Sequence, residues 1–458
     1  MKVSSAYDDM KDSGVDWIGN IPDIWTVAPL KSLGIGRDAL FIDGDWIESK
    51  DLSEEGIRYI TTGNVGEGRY KEQGSGFISK ETFDRLRCTE VPPGDVLVSR
   101  LNLPIARACI VPELGARIVT SVDNVIVRPR PGFDARYIVF MLSGASHFFN
   151  TENLARGTTM CRISRSSLGN IRYAFPSLDE QSAIATALDR ETARIDALIE
   201  KKTRFIELLK EKRQALITQA VTKGLDPTVS MKDSGVAWIG EVPAHWFGSY
   251  KLVSLAKQVK GSFVNGPFGS DLLSSELQTE GVPVIYIRDV KPTGYSRKSK
   301  DCVTEKKAKQ LSVCQVRPGD VLLAKVGSPP GDACVYPIDE PLGIVTQDVV
   351  RIRPERMKVV PEYFCFLMNS GFGRSLIDSI SVESTRKRFG LGELKQLRVA
   401  LPAVPEQEQI ARWIEDRTSK IDSLILKSEQ SAILLKERRS ALITAAVTGQ
   451  IDLREGAV

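Results

Sequence analysis

Two stretches of this chain carry cations and polar side chains at positions that recur about 225 residues later. Arg100 follows a strand-like Val96-Leu-Val98 run, with Asn102 and Arg107 in the loop beyond it; Lys325 follows Val321-Leu-Leu323, with Ser328 in its loop. A second polar segment runs from Arg156 through Thr158 and Thr159 to Arg162, and its counterpart holds Thr385, Arg386, Lys387 and Arg388. Asn64 and Arg288 occupy loops after strands expected to end at Ile60 and Ile287. Arg and Lys neutralise phosphates or bind guanine edges, while Asn, Ser and Thr hydrogen-bond bases or backbone, so these residues are candidate DNA contacts. A lone basic residue is more often a solvated charge, and the paired placement is what singles these out.

Other chemistries lack their parts. There is no GxxxxGK[ST] phosphate loop, no Gly-rich turn with an acidic ribose partner and no Asn/Asp-Pro-Pro-aromatic tetrad. Only two histidines occur, His147 and His245, which leaves little for a triad or a His-based metal site, and no metal site is expected. Asp95 and Asp320 each follow Pro-Gly. They are read as turns entering strands in preference to nuclease carboxylates, because a two-metal site needs several such groups. The seven cysteines are scattered, with no CxxC pair, which points to a reducing, cytoplasmic setting. No run of about 18 apolar residues suggests a membrane span, and the polar N-terminus lacks the apolar core of a signal peptide. A net charge of +4 is compatible with nucleic acid without requiring it.

The elements that must position these loops emerge from an internal repeat. Met10–Trp25 returns as Met231–Trp246 with 11 of 16 positions identical, and Pro176–Asp226 returns as Pro402–Asp452 with 24 of 51 identical. Between these flanks the copies diverge apart from islands such as Pro93–Leu97 and Pro318–Leu322. The pattern predicts a repeated segment at 1–25, a variable domain at 26–175, a helical spacer at 176–222, a linker with the second repeated segment at 223–246, a second variable domain at 247–401, a second spacer at 402–448 and a tail at 449–458. A period this long excludes solenoids and propellers.

The spacers read as long amphipathic helices. Leu188, Ile195, Leu209 and Leu216 lie on one seven-residue series, and Ile414, Ile421, Leu435 and Leu442 repeat it. An exposed seam of that length needs cover, so antiparallel pairing of the two helices is expected; the alternative is that each packs only on its own domain. The variable domains read as short strands and Gly/Pro turns, with one helix expected in each, Tyr137–Phe149 and Tyr363–Leu376. The fold class is thus mixed α/β (α+β), with two similar globular variable domains separated by two long antiparallel helices.

Asp-Ser-Gly-Val-x-Trp-Ile-Gly-x-(Ile/Val)-Pro before each variable domain, (Phe/Leu)-Pro-x-(Leu/Val)-x-Glu-Gln at each helix start and Leu-Leu-Lys-Glu-(Lys/Arg)-Arg-x-Ala-Leu-Ile-Thr-x-Ala-Val-Thr at its end resemble the specificity subunits of type I restriction-modification enzymes. The resemblance spans essentially the whole chain. It implies that the variable domains are target-recognition domains in a pseudo-two-fold arrangement, that each reads one half of a split site on double-stranded DNA and that the helices set the gap. It further implies two methyltransferase subunits that bring S-adenosylmethionine and two restriction subunits that use ATP and Mg, with no catalytic residue or cofactor in this chain. A related system with a fused methyltransferase-nuclease partner is the alternative; a self-sufficient enzyme and a coiled-coil scaffold with other binding heads are the rival classes. Exchanging residues 26–175 for another member's first domain is predicted to change one half-site alone, as methylation mapping would show; a change in both halves would refute modular reading.

Overall fold

The computed structural model describes residues 7–73, 76–157, 160–234, 239–382 and 386–453. Two compact units form, one from Met1–Thr203 with Glu429–Val458 and one from Arg204–Ser428. The division cuts both long helices, Leu178–Lys223 and Val404–Val447, so each helix contributes one half to each unit. Their length follows from the absence of Pro and Gly in their interiors, and Pro405 sits in the first turn, where its missing N–H costs nothing.

The first unit is built on a four-stranded antiparallel sheet in the order Leu40–Asp43, Asn124–Arg128, Val96–Ser99, Ala108–Ile110. Strand alternation serves two cores at once: Val96, Val98, Val125 and Val127 pack with Leu30 and Tyr137, while Leu97, Ile126 and Cys109 pack with Ile60, Val65 and Ile118. A second sheet runs Ile118–Thr120, Ile57–Ile60, Gly76–Ile78, Leu52–Ser53, its first pair parallel. In the second unit one sheet has the order Phe263–Asn265, Val349–Ile352, Val321–Ala324, Ala333–Val335, the same as its counterpart. The other runs Cys302–Val303, Val282–Ile285, Gly343–Val345, Gln315–Val316, with Val282–Ile285 again parallel to the strand that follows the hairpin. The expected strands are present, except that the one predicted to reach Ile287 stops at Ile285. The single helix expected in each domain is two: Ala135–Met141 and Ala145–Leu154 in the first, Pro361–Asn369 and Gly371–Ser379 in the second. The break falls at Gly144 and Ser370, whose extended backbone starts a new helix.

Within each unit the two helix halves run antiparallel. In the first, Asp196 meets Arg439 at 2.9 Å, while the earlier Ala185 and Leu188 share a core with the later Ile443 and Val447. In the second, Arg213 meets Asp422 through two bonds of 2.8 and 3.2 Å, and the later Ile217 and Val221 share a core with the earlier Ile410 and Ile414. Of the seam residues, Leu188, Ile195, Leu209, Ile414 and Ile421 are buried. Leu216, Leu435 and Leu442 are only half-buried, and Ile217 and Ile443 take the interior position beside two of them. A helix of 3.6 residues per turn drifts by about 20° per seven-residue repeat, so one strict series cannot stay on the buried face to the end.

The repeated motifs hold these halves to the sheets. Glu180 is buried and accepts from the Trp25 indole at 3.1 Å and the Tyr7 hydroxyl at 2.7 Å; Glu406 accepts from the Trp246 indole at 3.1 Å and pairs with His245 at 2.9 Å. Gln181 accepts from the Asp134 N–H and donates to the Pro176 carbonyl, and Gln407 does the same with Val360 and Pro402. The threonine of the closing Ala-Leu-Ile-Thr motif accepts from a helix-start N–H of the other copy's domain: Thr444 from Ala145, Thr218 from Gly371.

His147 is fully buried in the first unit. Its Nε2 lies 3.1 Å from the Ala106 carbonyl, which only accepts, so Nε2 carries the proton and Nδ1 accepts from the Tyr173 hydroxyl at 2.8 Å. Burial lowers its pKa from 6.5 to about 4. Between these values the unfolded chain binds a proton that the folded one does not, so stability rises with pH across this window and is lost as pH falls from 6.5 towards 4. Thermal unfolding should show a loss of roughly 3 kcal/mol by pH 4, and His147→Gln should flatten that dependence even if it costs stability at pH 7; an unchanged slope would count against this assignment.

Candidate nucleic-acid interface

In the first unit the strands Leu40–Asp43, Ile57–Ile60, Val96–Ser99 and Ile118–Thr120 deliver their outgoing loops to one cluster, tied together by two buried arginines. Arg107 donates to five carbonyls: Thr62 at 2.8 Å, Val65 at 2.7 Å, Leu101 at 3.1 Å, Asn102 at 2.9 Å and Pro104 at 3.2 Å. Arg100 donates to the Val122 carbonyl at 2.6 Å and the Ile163 carbonyl at 3.4 Å, and forms an ion pair with Asp43 at 3.1 Å. Burial pulls both guanidinium groups below the ordinary arginine value, and for Arg100 the Asp43 carboxylate opposes the shift. Asn64 is buried too, accepting from the Thr61 N–H and donating to the Lys71 and Gln73 carbonyls.

These three therefore depart from the DNA-facing role expected of them. The Arg107 guanidinium, the terminal nitrogens of Arg100 and the Asn64 amide donate to the protein's own backbone, and these residues give the loops their shape. The other candidates of the first domain lie outside that frame. Asn102 is exposed at φ +62°, a left-handed conformation that Asn tolerates better than most residues. Its N–H donates to the Cys161 carbonyl, which draws the loop against the segment carrying Arg156 and Arg162, both exposed. Arg162 pairs with Asp123 at 2.7 Å, and the exposed Arg165, absent from the sequence-based set, lies 3.6 Å from Asp43. Thr158 and Thr159 lie outside the described residues.

The second unit repeats the arrangement with other side chains. The Lys325 N–H donates to the Asp348 carbonyl as that of Arg100 donates to Asp123, but the Lys325 side chain is half-exposed where that of Arg100 is buried. The Gly327 N–H donates to the Lys387 carbonyl, so the loop with exposed Ser328 lies against the segment with exposed Arg386 and Arg388. Lys387 pairs with Asp378 at 2.8 Å, and Thr385 lies outside the described residues. Arg288 stands on a separate loop, exposed, its guanidinium 4.6 Å above the Tyr286 ring. Where the first unit has Arg107 the second has Asp332, which pairs with Arg374; Arg374 in turn donates to the Pro330 carbonyl. The cation that staples this loop has moved to a different element.

Asp95 and Asp320 do serve as turns into strands. Both are buried, Asp95 paired with Arg128 at 2.7 Å and Asp320 with Arg353 at 3.1 Å. His245 pairs with Glu406 at 2.9 Å, at the start of the second long helix.

No protein-family model matches the chain. Among solved structures, one from a study of complex assembly and conformational transition of the type I R-M system superposes with a TM-score of 0.71 at 14% identity, covering 93% of this chain and 98% of that one. The HsdS subunit from Thermoanaerobacter tengcongensis gives 0.51 at 14%, with 94% and 98% covered. The fold is therefore of the two-domain, two-helix class found in type I systems. In sequence, the chain is 21% identical over 452 residues to the type I restriction enzyme MjaIX specificity subunit of Methanocaldococcus jannaschii, covering 96% of each, and 19% identical over 447 residues to the StySPI specificity subunit of Salmonella potsdam, covering 94% and 90%. It is 22% identical over 327 residues to the EcoBI specificity subunit of Escherichia coli. The resemblance drawn from the repeated motifs is borne out: the relatives similar to this chain from end to end are type I specificity subunits.

Arg107→Ala should destabilise the first unit by about 3 kcal/mol or more, since it leaves buried carbonyls unpaired. Arg156→Ala should leave thermal stability unchanged and weaken DNA binding with a salt slope shallower by about one. Equal effects of the two changes on stability would contradict this division of roles.

Proposed function

We propose that this chain is the DNA-recognition subunit of a type I restriction-modification complex, reading a bipartite, asymmetric target and scaffolding the methyltransferase and restriction subunits. The observation that carries this reading is one loop cluster built twice on the same sheet and helix frame with different side chains on its outer surface. A frame that is held constant while its loops differ suits a protein whose two domains read unlike sequences. Exposed Asn102, Arg156, Arg162 and Arg165 in one cluster, and Ser328, Arg386 and Arg388 in the other, supply the donors and cations that base edges and phosphates require.

The long helices suit the spacer role. A 46-residue helix extends roughly 70 Å, and Leu198, Phe205 and Leu208 on the first and Leu424, Leu426, Ile433 and Leu434 on the second remain exposed. Apolar side chains left uncovered along such helices fit docking of partner subunits. The proposed partners are two methyltransferase subunits, which bring S-adenosylmethionine, and two restriction subunits, which use ATP and Mg. In this reading the chain itself is non-catalytic, holds no cofactor and works in the cytoplasm. No helix among the described residues is long and apolar enough to cross a membrane. The type I naming of its relatives favours separate methyltransferase and restriction partners over a fused one.

Single-molecule methylation mapping of DNA from cells expressing this chain with its neighbouring methyltransferase should reveal a split motif with two unlike halves and methyladenine on both strands. A soluble, S-adenosylmethionine-competent complex that leaves no split motif would overturn the proposal.

A further inference from the structure

Two large aromatic rings stand in water at corresponding places in the two units, Trp46 at 68% exposure and Phe268 at 64%. Each lies two residues beyond a glycine that only a missing side chain permits. A Cβ on Gly44 would meet the Ser121 carbonyl oxygen at 2.4 Å, and one on Gly266 the Val345 carbonyl oxygen at 2.2 Å. The chain thus leaves its strand pressed against a neighbouring strand's end and then presents the ring.

The anchoring is the same in both units. The Gly44 N–H donates to the Asn124 carbonyl, next to the Asp123 carbonyl that holds Arg100; the Gly266 N–H donates to the Val349 carbonyl, next to the Asp348 carbonyl that holds Lys325. Consecutive carbonyls at one strand start therefore carry the aromatic loop and the cationic loop side by side, twice. In the first unit the ring's loop is fixed further by Asp45, whose N–H donates to Thr120 and whose carboxylate accepts from the Thr89 N–H. Full burial of an aromatic side chain removes about 150–250 Å² of largely apolar surface from water, and these two rings stand on the rims proposed to face DNA, the Trp46 indole N–H donating to Glu48 at 3.2 Å.

From this geometry we infer that Trp46 and Phe268 are specificity-determining residues whose rings pack against base edges, each in the half-site read by its own unit. The inference rests on the DNA-recognition reading above. A flat apolar ring favours a thymine methyl or a deformable base step and makes no charge contact with phosphate. That one copy uses Trp and the other Phe on the same glycine-anchored loop fits two domains reading different bases.

The test uses the complex of the full chain with its methyltransferase, carrying Trp46→Ala, Trp46→Phe or Phe268→Ala. Binding is measured by competition between duplexes altered one base pair at a time in each half-site, at two salt concentrations. Trp46→Ala should reduce discrimination about ten-fold at one or two adjacent base pairs of a single half-site, with the salt slope unchanged and the other half-site read normally; Trp46→Phe should restore most of it. Phe268→Ala should do the same in the opposite half-site, and it decides the matter alone should Trp46→Ala fail to fold. Unaltered discrimination in both alanine variants overturns the inference, as does uniform weakening with a shallower salt slope, which marks a phosphate contact. Loss of assembly with the methyltransferase also overturns it, because the rings would then be protein-docking residues. If the unsubstituted complex shows no sequence preference, the DNA-recognition reading itself fails, a result distinct from all of these.

Discussion

Each unit is organised around a carboxylate that receives an indole, buried at Glu180 and half-buried at Glu406. Glu180 and Glu406 sit at the start of the long helices, where a negative charge is favoured by the helix dipole, and each accepts from a tryptophan of the repeated N-terminal segment. The adjacent glutamine closes the gap between the sheet-bearing domain and the helix start. Together with the core contacts of Ala185 and Leu188 in one unit and Ile410 and Ile414 in the other, this anchor fixes the helix start against its domain and so the loop cluster against the helix. The duplication preserved the anchor, the threonine caps and the closing helical motif, and left the intervening surface free to diverge.

The loop clusters depend on a second constraint, the cost of leaving carbonyls unpaired at the end of a sheet. Several strands stop together there, and their outgoing chains need donors. In the first unit two buried arginines supply them, and in the second the task passes in part to Arg374 and its pairing with Asp332. A guanidinium has five N–H donors in a rigid fork, which suits it to gathering carbonyls from several loops. The same donors suit DNA, and for this reason a cation in a loop is ambiguous until its surroundings are seen.

The repeat made the double architecture, the long helices, the Pro-Gly-Asp turns and the family resemblance legible from the residues alone, because each is a local pattern stated twice. Hydrophobic periodicity located the helices but not their full packing, since Leu216 and Leu442 yield the interior to Ile217 and Ile443 once the helix drifts off a seven-residue period. The single expected helix of each domain became two because an apolar run continues through a break that only the capping at Gly144 and Ser370 reveals.

Among the candidate contacts, the segments were legible and the side chains were not. Loops around 100–107 and 156–162 do meet, yet Arg100, Arg107 and Asn64 turn inward while Arg156, Arg162 and Asn102 stay out. Trp46 and Phe268 do not stand out in the sequence, where an aromatic reads first as core; the glycine pressed against a carbonyl and the exposure of the ring show that it is presented. The sequence by itself determined what is duplicated, because identity between copies survives without coordinates. Which cations are structural and which are free to meet a ligand was decided by tertiary structure alone, since that depends on carbonyls brought in from loops up to some 60 residues away.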